Sequence, residues 1–248
     1  MNLISKSSLE DIICRYKFVL PYLKNKKVLE VGCGFGIGAR LIDEQACLYR
    51  GIDISKSNIY KAKKNNNKIR NSFKELSAYK INRLGIKFDV IVCLATIYYL
   101  EFDKFLKSTF NVLVKNGLLI FDSTNANLPG LNKNWDNQTK YFQVLEMQKI
   151  LVKNNFKKNI FFGSSSEFAN TKVITIVSKL RLFLKSFLNN CNLLKLKNLI
   201  ILFIDQKFLT LPDYLSKNDM EIKSSYKKIE KYKNNYKNSN IIVVAKYL

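Results

Sequence analysis

Val28-Leu29-Glu30-Val31-Gly32-Cys33-Gly34-Phe35-Gly36-Ile37-Gly38 reads as a short apolar strand with an acidic residue near its end, then glycine at every second position. Ala39-Arg40-Leu41-Ile42 begins a helix, and a second apolar strand, Leu48 to Ile52, ends on Asp53. The glycines suit a sharp strand-to-helix turn, where a Cβ is poorly tolerated. They also let a cofactor lie against the main chain near free N–H groups. An acidic side chain closing the second strand suits the paired hydroxyls of a ribose. A glycine-rich turn alone says little, but here strand, turn, helix and second strand follow at the right distances. The stretch therefore reads as a nucleotide-cofactor site.

Working outward, strands and helices alternate. A capping box at Ser7-Ser8-Leu9-Glu10 opens a helix running to about Leu20, before Pro21. Strands are predicted at 27–31, 48–53, 72–76, 88–94, 117–122 and 158–163, and helices at 37–45, 56–65, 102–115 and 143–154. A last strand is predicted at Ile241–Ala245. Such alternation predicts an α/β fold with a doubly wound, mostly parallel sheet. A loop containing Pro129, Gly130 and Trp135 precedes the helix at 143. Residues 164–239 form a long insertion, apolar in its first half and rich in Lys, Tyr and Asn in its second. The expected division is a cofactor-binding domain of residues 1–163 plus 240–248, with 164–239 as a helical cap or substrate-side elaboration. Within it, Tyr226, Ile229, Lys233 and Tyr236 are spaced as one helical face.

Composition excludes some classes. The chain of 248 residues has five cysteines, none in C-x-x-C spacing, and no histidine. That argues against a zinc site or a disulfide framework and for a reducing, cytoplasmic setting, and no metal is expected. The first ten residues are polar, unlike a secretory leader. The formal net charge is +23, yet arginine occurs only at positions 15, 40, 50, 70, 83 and 181. Nucleic-acid sites favour the planar arginine fork, so the lysine excess reads as a solvated coat rather than a nucleic-acid site. A polyanion or an anionic membrane surface is the alternative. Residues 179–211 mix Leu, Ile and Phe with Lys, consistent with a packed cap or with peripheral contact at such a surface.

The order of elements resembles the class I S-adenosylmethionine-dependent methyltransferases, over residues 8–163 plus the terminal strand. The family's acidic-x-Gly-x-Gly-x-Gly motif matches Glu30, Gly32, Gly34 and Gly36, and its acidic residue after the second strand matches Asp53. Its fourth motif matches Phe88-Asp-Val-Ile-Val-Cys-Leu94-Ala95, followed by Leu113-Val-Lys-Asn-Gly117-Leu-Leu. The resemblance implies a seven-stranded sheet with an antiparallel last strand and S-adenosylmethionine as methyl donor. It implies donor contacts from Glu30, Gly32, Cys33, Gly34, Gly36, Asp53, Ile54, Ser77, Ala78, Leu94 and Ala95. Relatives often carry an acidic residue near the adenine; this chain has Ser77-Ala78 there, with Glu75 close by. It also has Asn155-Phe156 where relatives often have Gly-Phe.

Gly34-x-Gly36-x-x-Ala39 satisfies a nicotinamide-dinucleotide fingerprint as well, so an oxidoreductase is the rival. Against it stand Glu30, the lack of a second catalytic domain, and the lack of a histidine to exchange a proton. Methyl transfer is an in-line displacement, in which alignment and dryness matter most. A hydroxyl acceptor wants a base, and without histidine the candidates are Asp122, Tyr98, Tyr99 and Glu101. Asp122 is equally readable as a loop cap, and a phenol stays protonated near neutral pH. Relatives that methylate base amino groups carry an Asn/Asp-Pro-Pro-aromatic loop where this chain has Leu94-Ala-Thr-Ile-Tyr-Tyr99. The expected acceptor is thus a small molecule, a sugar or glycan, or a lipid. An RNA methyltransferase and a non-catalytic cofactor-binding module are the further alternatives.

Overall fold

The computed structural model describes residues 3–127, 139–164, 208–221, 226–230 and 240–248. In chain order, its first half runs β1 (Leu3–Ser5), α1 (Lys6–Val19), β2 (Lys27–Val31), α2 (Ala39–Asp43), β3 (Leu48–Asp53), α3 (Lys56–Asn65) and β4 (Phe73–Glu75). The second half runs β5 (Phe88–Cys93), α4 (Phe102–Thr109), β6 (Leu113–Thr124), α5 (Val144–Lys153), β7 (Ile160–Ser164), β8 (Phe208–Thr210), β9 (Tyr226–Lys228) and β10 (Asn240–Lys246). Eight strands form the main sheet in the order β4-β3-β2-β5-β6-β10-β7-β9. Strands β2 to β6 pair in parallel. Strand β10 lies between β6 and β7, antiparallel to both.

Both faces of this sheet are covered, and strand alternation sorts the side chains. Val28, Val90, Val92, Ile120, Ile242 and Val244 pack on Ile13, Tyr16 and Val19 of α1, Leu41 and Ile42 of α2, and Ile59 of α3. The intervening residues Leu29, Ile91, Cys93, Leu119, Phe121 and Val243 pack on Phe105 and Leu106 of α4 and Met147 and Leu151 of α5. The same alternation puts Glu30 and Asp122 on the α1 face.

Four expectations change. The sheet has eight strands, because β9 adds an antiparallel edge to β7. The helix expected over 37–45 is only Ala39–Asp43. The helix expected over 102–115 stops at Thr109, and β6 already starts at Leu113. Pairing there jumps from Phe88↔Leu113 to Val90↔Leu118, and Asn116 takes a left-handed φ of 64° in the bulge. Tyr226 lies in strand β9 and Ile229 follows it, its N–H on Phe161 O (2.8 Å), so the expected helical face is absent at those two positions. Lys233 and Tyr236, like Pro129, Gly130, Trp135 and residues 179–207, lie outside the described residues.

The described part of the insertion straps the front of the molecule. Strand β8 pairs antiparallel with β1. Leu215 is buried, and its N–H donates to Ile37 O (2.7 Å) in the glycine-rich turn. Arg40 stacks over the Tyr214 ring at 3.5 Å. Among the described residues, no helix is long and apolar enough to cross a membrane.

Candidate functional site

Strand β2 turns out of the sheet at Gly32 (φ 75°), and Gly34 also takes a left-handed φ of 55°. Two N–H groups, of Gly32 and Cys33, donate to Ile52 O at 2.8 and 3.0 Å, which pins the turn to β3. A Cβ on Gly32 would sit 2.2 Å from Thr96 Oγ1, so only glycine lets the two loops approach. At Gly34 the space is open: nothing lies within 4 Å of an added Cβ. Asp53 closes β3 beside that opening. Its Oδ2 accepts from the Gly34 N–H (2.9 Å) and its Oδ1 from the Ser55 N–H (2.8 Å). Carboxylate oxygens have lone pairs to spare, so the group is held in place and can still accept from hydroxyls. Next to it Ile54 is 76% exposed, leaving an apolar surface open beside the carboxylate.

Ser77 caps the turn starting at Ala78, accepting from the Tyr79 N–H (3.3 Å). Cys33 is buried, and burial pushes its thiol well above the ordinary range, so it packs rather than reacts. Gly36 takes a φ of 77° within the same turn.

Glu30, for which the family motif implies a donor contact, stands just before the turn on β2. It is buried, and its carboxylate meets side chains of α1 and β3. Tyr16 and Tyr49 donate to its two oxygens at 2.7 and 2.6 Å. Burial pushes its pKa up to about 7, against the lowering effect of the two phenols. The residue ties α1, β2 and β3 together beneath the turn.

Across the opening lies the loop Leu94–Tyr99. Ala95 is left-handed at φ 50°, rare for a residue with a Cβ. Its N–H donates to Asp122 Oδ1 (2.5 Å), and Arg15 Nε of α1 approaches Asp122 Oδ2 at 2.7 Å. The latter is an ion pair rather than an aligned hydrogen bond, because Nε–H does not point along the N–O line. Asp122 is 1% exposed, so both oxygens of this candidate base are engaged by the protein. Burial works against the charge on Arg15, but Asp122 together with Tyr226, Asp11 and Tyr98 more than offsets it and raises its pKa. Tyr98 packs edge-on against Tyr99 (4.6 Å) and near Tyr141 (5.7 Å). Burial, then Asp122, pushes its phenol up, so it stays a proton donor. Tyr99 is 59% exposed, and Glu101 forms an exposed ion pair with Lys104 (3.2 Å).

A groove of about 750 Å³ runs along the far end of this loop, walled by Tyr99, Glu101, Lys104, Lys107, Lys140 and Phe142 among others. None of its walls comes from the glycine-rich turn, Asp53 or Asp122. Among the described residues, no group of three or more Cys, Asp or Glu lies close enough to hold a metal ion.

Arg15 and Tyr16 were not among the residues singled out from sequence. A signal existed: in a chain where lysine fills almost every basic position, an arginine in the first helix stands out. Arg40, retained likewise, stacks on Tyr214 and donates to Asn65 O (2.6 Å).

An adenosyl group fits what these residues offer: an open backbone turn, a fixed carboxylate for a ribose diol, and a bare apolar side chain beside it. Comparison with known proteins agrees. Residues 23–182 match the family model described as a methyltransferase domain. The "Ubiquinone biosynthesis O-methyltransferase" of Pelagibacter ubique is 33% identical over 109 residues, 43% of this chain and 45% of that protein. The chain thus spans under half the length of that relative. A SAM-dependent methyltransferase from Archaeoglobus fulgidus superposes with a TM-score of 0.58 over 96% of this chain and 94% of its own, at 15% identity. A Thermotoga maritima protein, titled a SAM-dependent methyltransferase and possible histamine N-methyltransferase, gives 0.56 over 97% and 92%, at 14% identity. At such identities the likeness is one of fold. With the family model spanning more than half of its length, the chain belongs to the methyltransferase-domain family.

Proposed function

We propose that the protein methylates a small aromatic or lipid-type acceptor, at a hydroxyl oxygen acidic enough to react without a strong protein base. The observation that carries this reading is the chemistry around the Leu94–Tyr99 loop. Asp122 is buried with both oxygens engaged, and Tyr98 is held protonated. The chain has no histidine to take their place. An acceptor that ionises readily, such as a phenol, suits a site that aligns rather than deprotonates. The relative named for O-methyl transfer in ubiquinone biosynthesis supports an oxygen on a quinone-like lipid.

On the donor side, the backbone of Gly32, Cys33, Gly34 and Gly36 would form the floor and Asp53 would accept from the ribose hydroxyls. Ile54 would cover the adenine, with Ser77, Ala78, Leu94 and Ala95 as the rim. When bound, S-adenosylmethionine supplies a methyl carbon activated by its sulfonium. On the acceptor side, Tyr98 donates a hydrogen bond and Tyr99 and Tyr141 offer aromatic wall. Asp122 stands behind them as a support.

Calorimetry with S-adenosylhomocysteine, with NAD in parallel, tests the donor. Release of S-adenosylhomocysteine over a panel of phenolic lipids, amines, sugars and RNA tests the acceptor. Binding to the thioether alone, with turnover on the phenolic lipids, is expected. Turnover confined to amines, sugars or RNA would overturn the acceptor class, and binding of NAD alone would overturn the whole reading.

A further inference from the structure

We propose that Arg15 of α1 is a positioning residue for the Leu94–Tyr99 loop, acting through Asp122 to hold the Ala95 amide in its left-handed turn. Two contacts in series, and the backbone turn they hold, carry the proposal. Arg15 Nε lies 2.7 Å from Asp122 Oδ2. The other oxygen of that carboxylate accepts the Ala95 N–H (2.5 Å). Ala95 holds φ 50°, a conformation an alanine adopts only when its surroundings impose it. The next residue, Thr96, is anchored by its own hydroxyl to Leu94 O (2.8 Å) and lies so close to Gly32 that a Cβ there could not be accommodated. The turn at Ala95 therefore sets the spacing between the acceptor-side loop and the glycine-rich turn. One carboxylate sets the turn, and one arginine from a different element sets the carboxylate.

The rest of the cluster keeps this pair in place. Asp11, one helical turn before Arg15, accepts from Asn240 Nδ2 (3.3 Å) at the start of β10. The fields of Asp11, Tyr98 and Tyr226 all act on Arg15. Helix α1 is thus fastened at the point where the last two parallel strands end and β10 begins. Its seating passes to the site through the Arg15–Asp122 ion pair and then the Asp122–Ala95 hydrogen bond, the second of which is charge-assisted and directional.

The proposal uses the donor reading only for its binding readout. Arg15→Lys, Arg15→Met and Asp122→Asn are made alone and combined with Ala95→Gly, which adopts the left-handed turn without strain. Two quantities are read below the unfolding temperature of each variant. The first is the Ala95 amide proton shift in the free protein. The second is the Kd for S-adenosylhomocysteine. In wild type, the amide should resonate far downfield, as expected of an N–H on a carboxylate. Arg15→Met and Asp122→Asn should move it upfield and weaken binding roughly tenfold, with Arg15→Lys between, and Ala95→Gly should restore binding to within about threefold. An unchanged amide in Arg15→Met, or additive losses with no restoration by glycine, would overturn the relay. If Arg15→Met does not fold, the cycle of Arg15→Lys with Ala95→Gly decides by the same criterion. A wild type that binds no S-adenosylhomocysteine would sink the donor reading, and the amide shift would still decide the relay.

Discussion

Glu30 shares a strand face with Val28, and that parity decides its partners, Tyr16 and Tyr49, fourteen and nineteen residues away. Its folded pKa of about 7 lies above its ordinary value of 4.5. The folded protein therefore keeps a proton that the unfolded chain releases. This contribution to stability is fully present below pH 4.5 and is lost as pH rises through 7. Urea unfolding of wild type should lose about 2 to 3 kcal/mol between pH 5 and pH 8 that Glu30→Gln does not lose. Equal slopes for the two proteins would show that the carboxylate titrates alike in both states. Gly32→Ala brings two penalties to one residue, a left-handed φ and a collision with Thr96. It should cost about 2–4 kcal/mol of stability and abolish S-adenosylhomocysteine binding, read by thermal unfolding and calorimetry. Gly34→Ala, where the space is open, should cost about 1–2 kcal/mol.

At the scale of elements, the strap from β8 through Leu215 brings a described part of the insertion against the glycine-rich turn. Leu215 is buried and its amide feeds the glycine-rich turn. Leu215→Ala should cost about 2–4 kcal/mol and weaken cofactor binding, whereas Lys217→Ala, which removes only an exposed pair with Glu44, should leave both unchanged. The predicted helices at 56–65 and 143–154 and the strands at 27–31, 48–53 and 88–94 match the observed elements to within a residue or so. There the apolar period is unbroken and flanked by polar turns. Helix 102–115 was overextended because Val112, Leu113 and Val114 continue an apolar run that serves a strand equally well. Tyr226 and Ile229 share a face at helical spacing, but β7 offered an unpaired edge, which no local pattern reveals. On the site, Asp53 was legible because its position follows from the strand end. The partners of Glu30 and Asp122 were not, since they come from α1, β3 and the loop after β5 across a fold that had first to be assembled.

For the whole molecule, a net charge of +23 with lysine as the main carrier predicts unspecific attraction to polyanions. Affinity for a mixed-sequence RNA, measured by fluorescence anisotropy, should fall roughly a hundredfold or more between 50 and 200 mM salt. Affinity surviving at the higher salt would instead favour an RNA acceptor. Placement of β10 has another kind of consequence. It is separated from β7 by the entire insertion, yet its residues pair with β6 and β7 in the middle of the sheet. A backbone cut between Ser164 and Phe208 would leave a larger piece with a missing central rib and a smaller one carrying that rib. The two should recombine without a covalent link, and their joint activity would then depend on concentration, turning a single-chain enzyme into a two-component sensor of its own fragments.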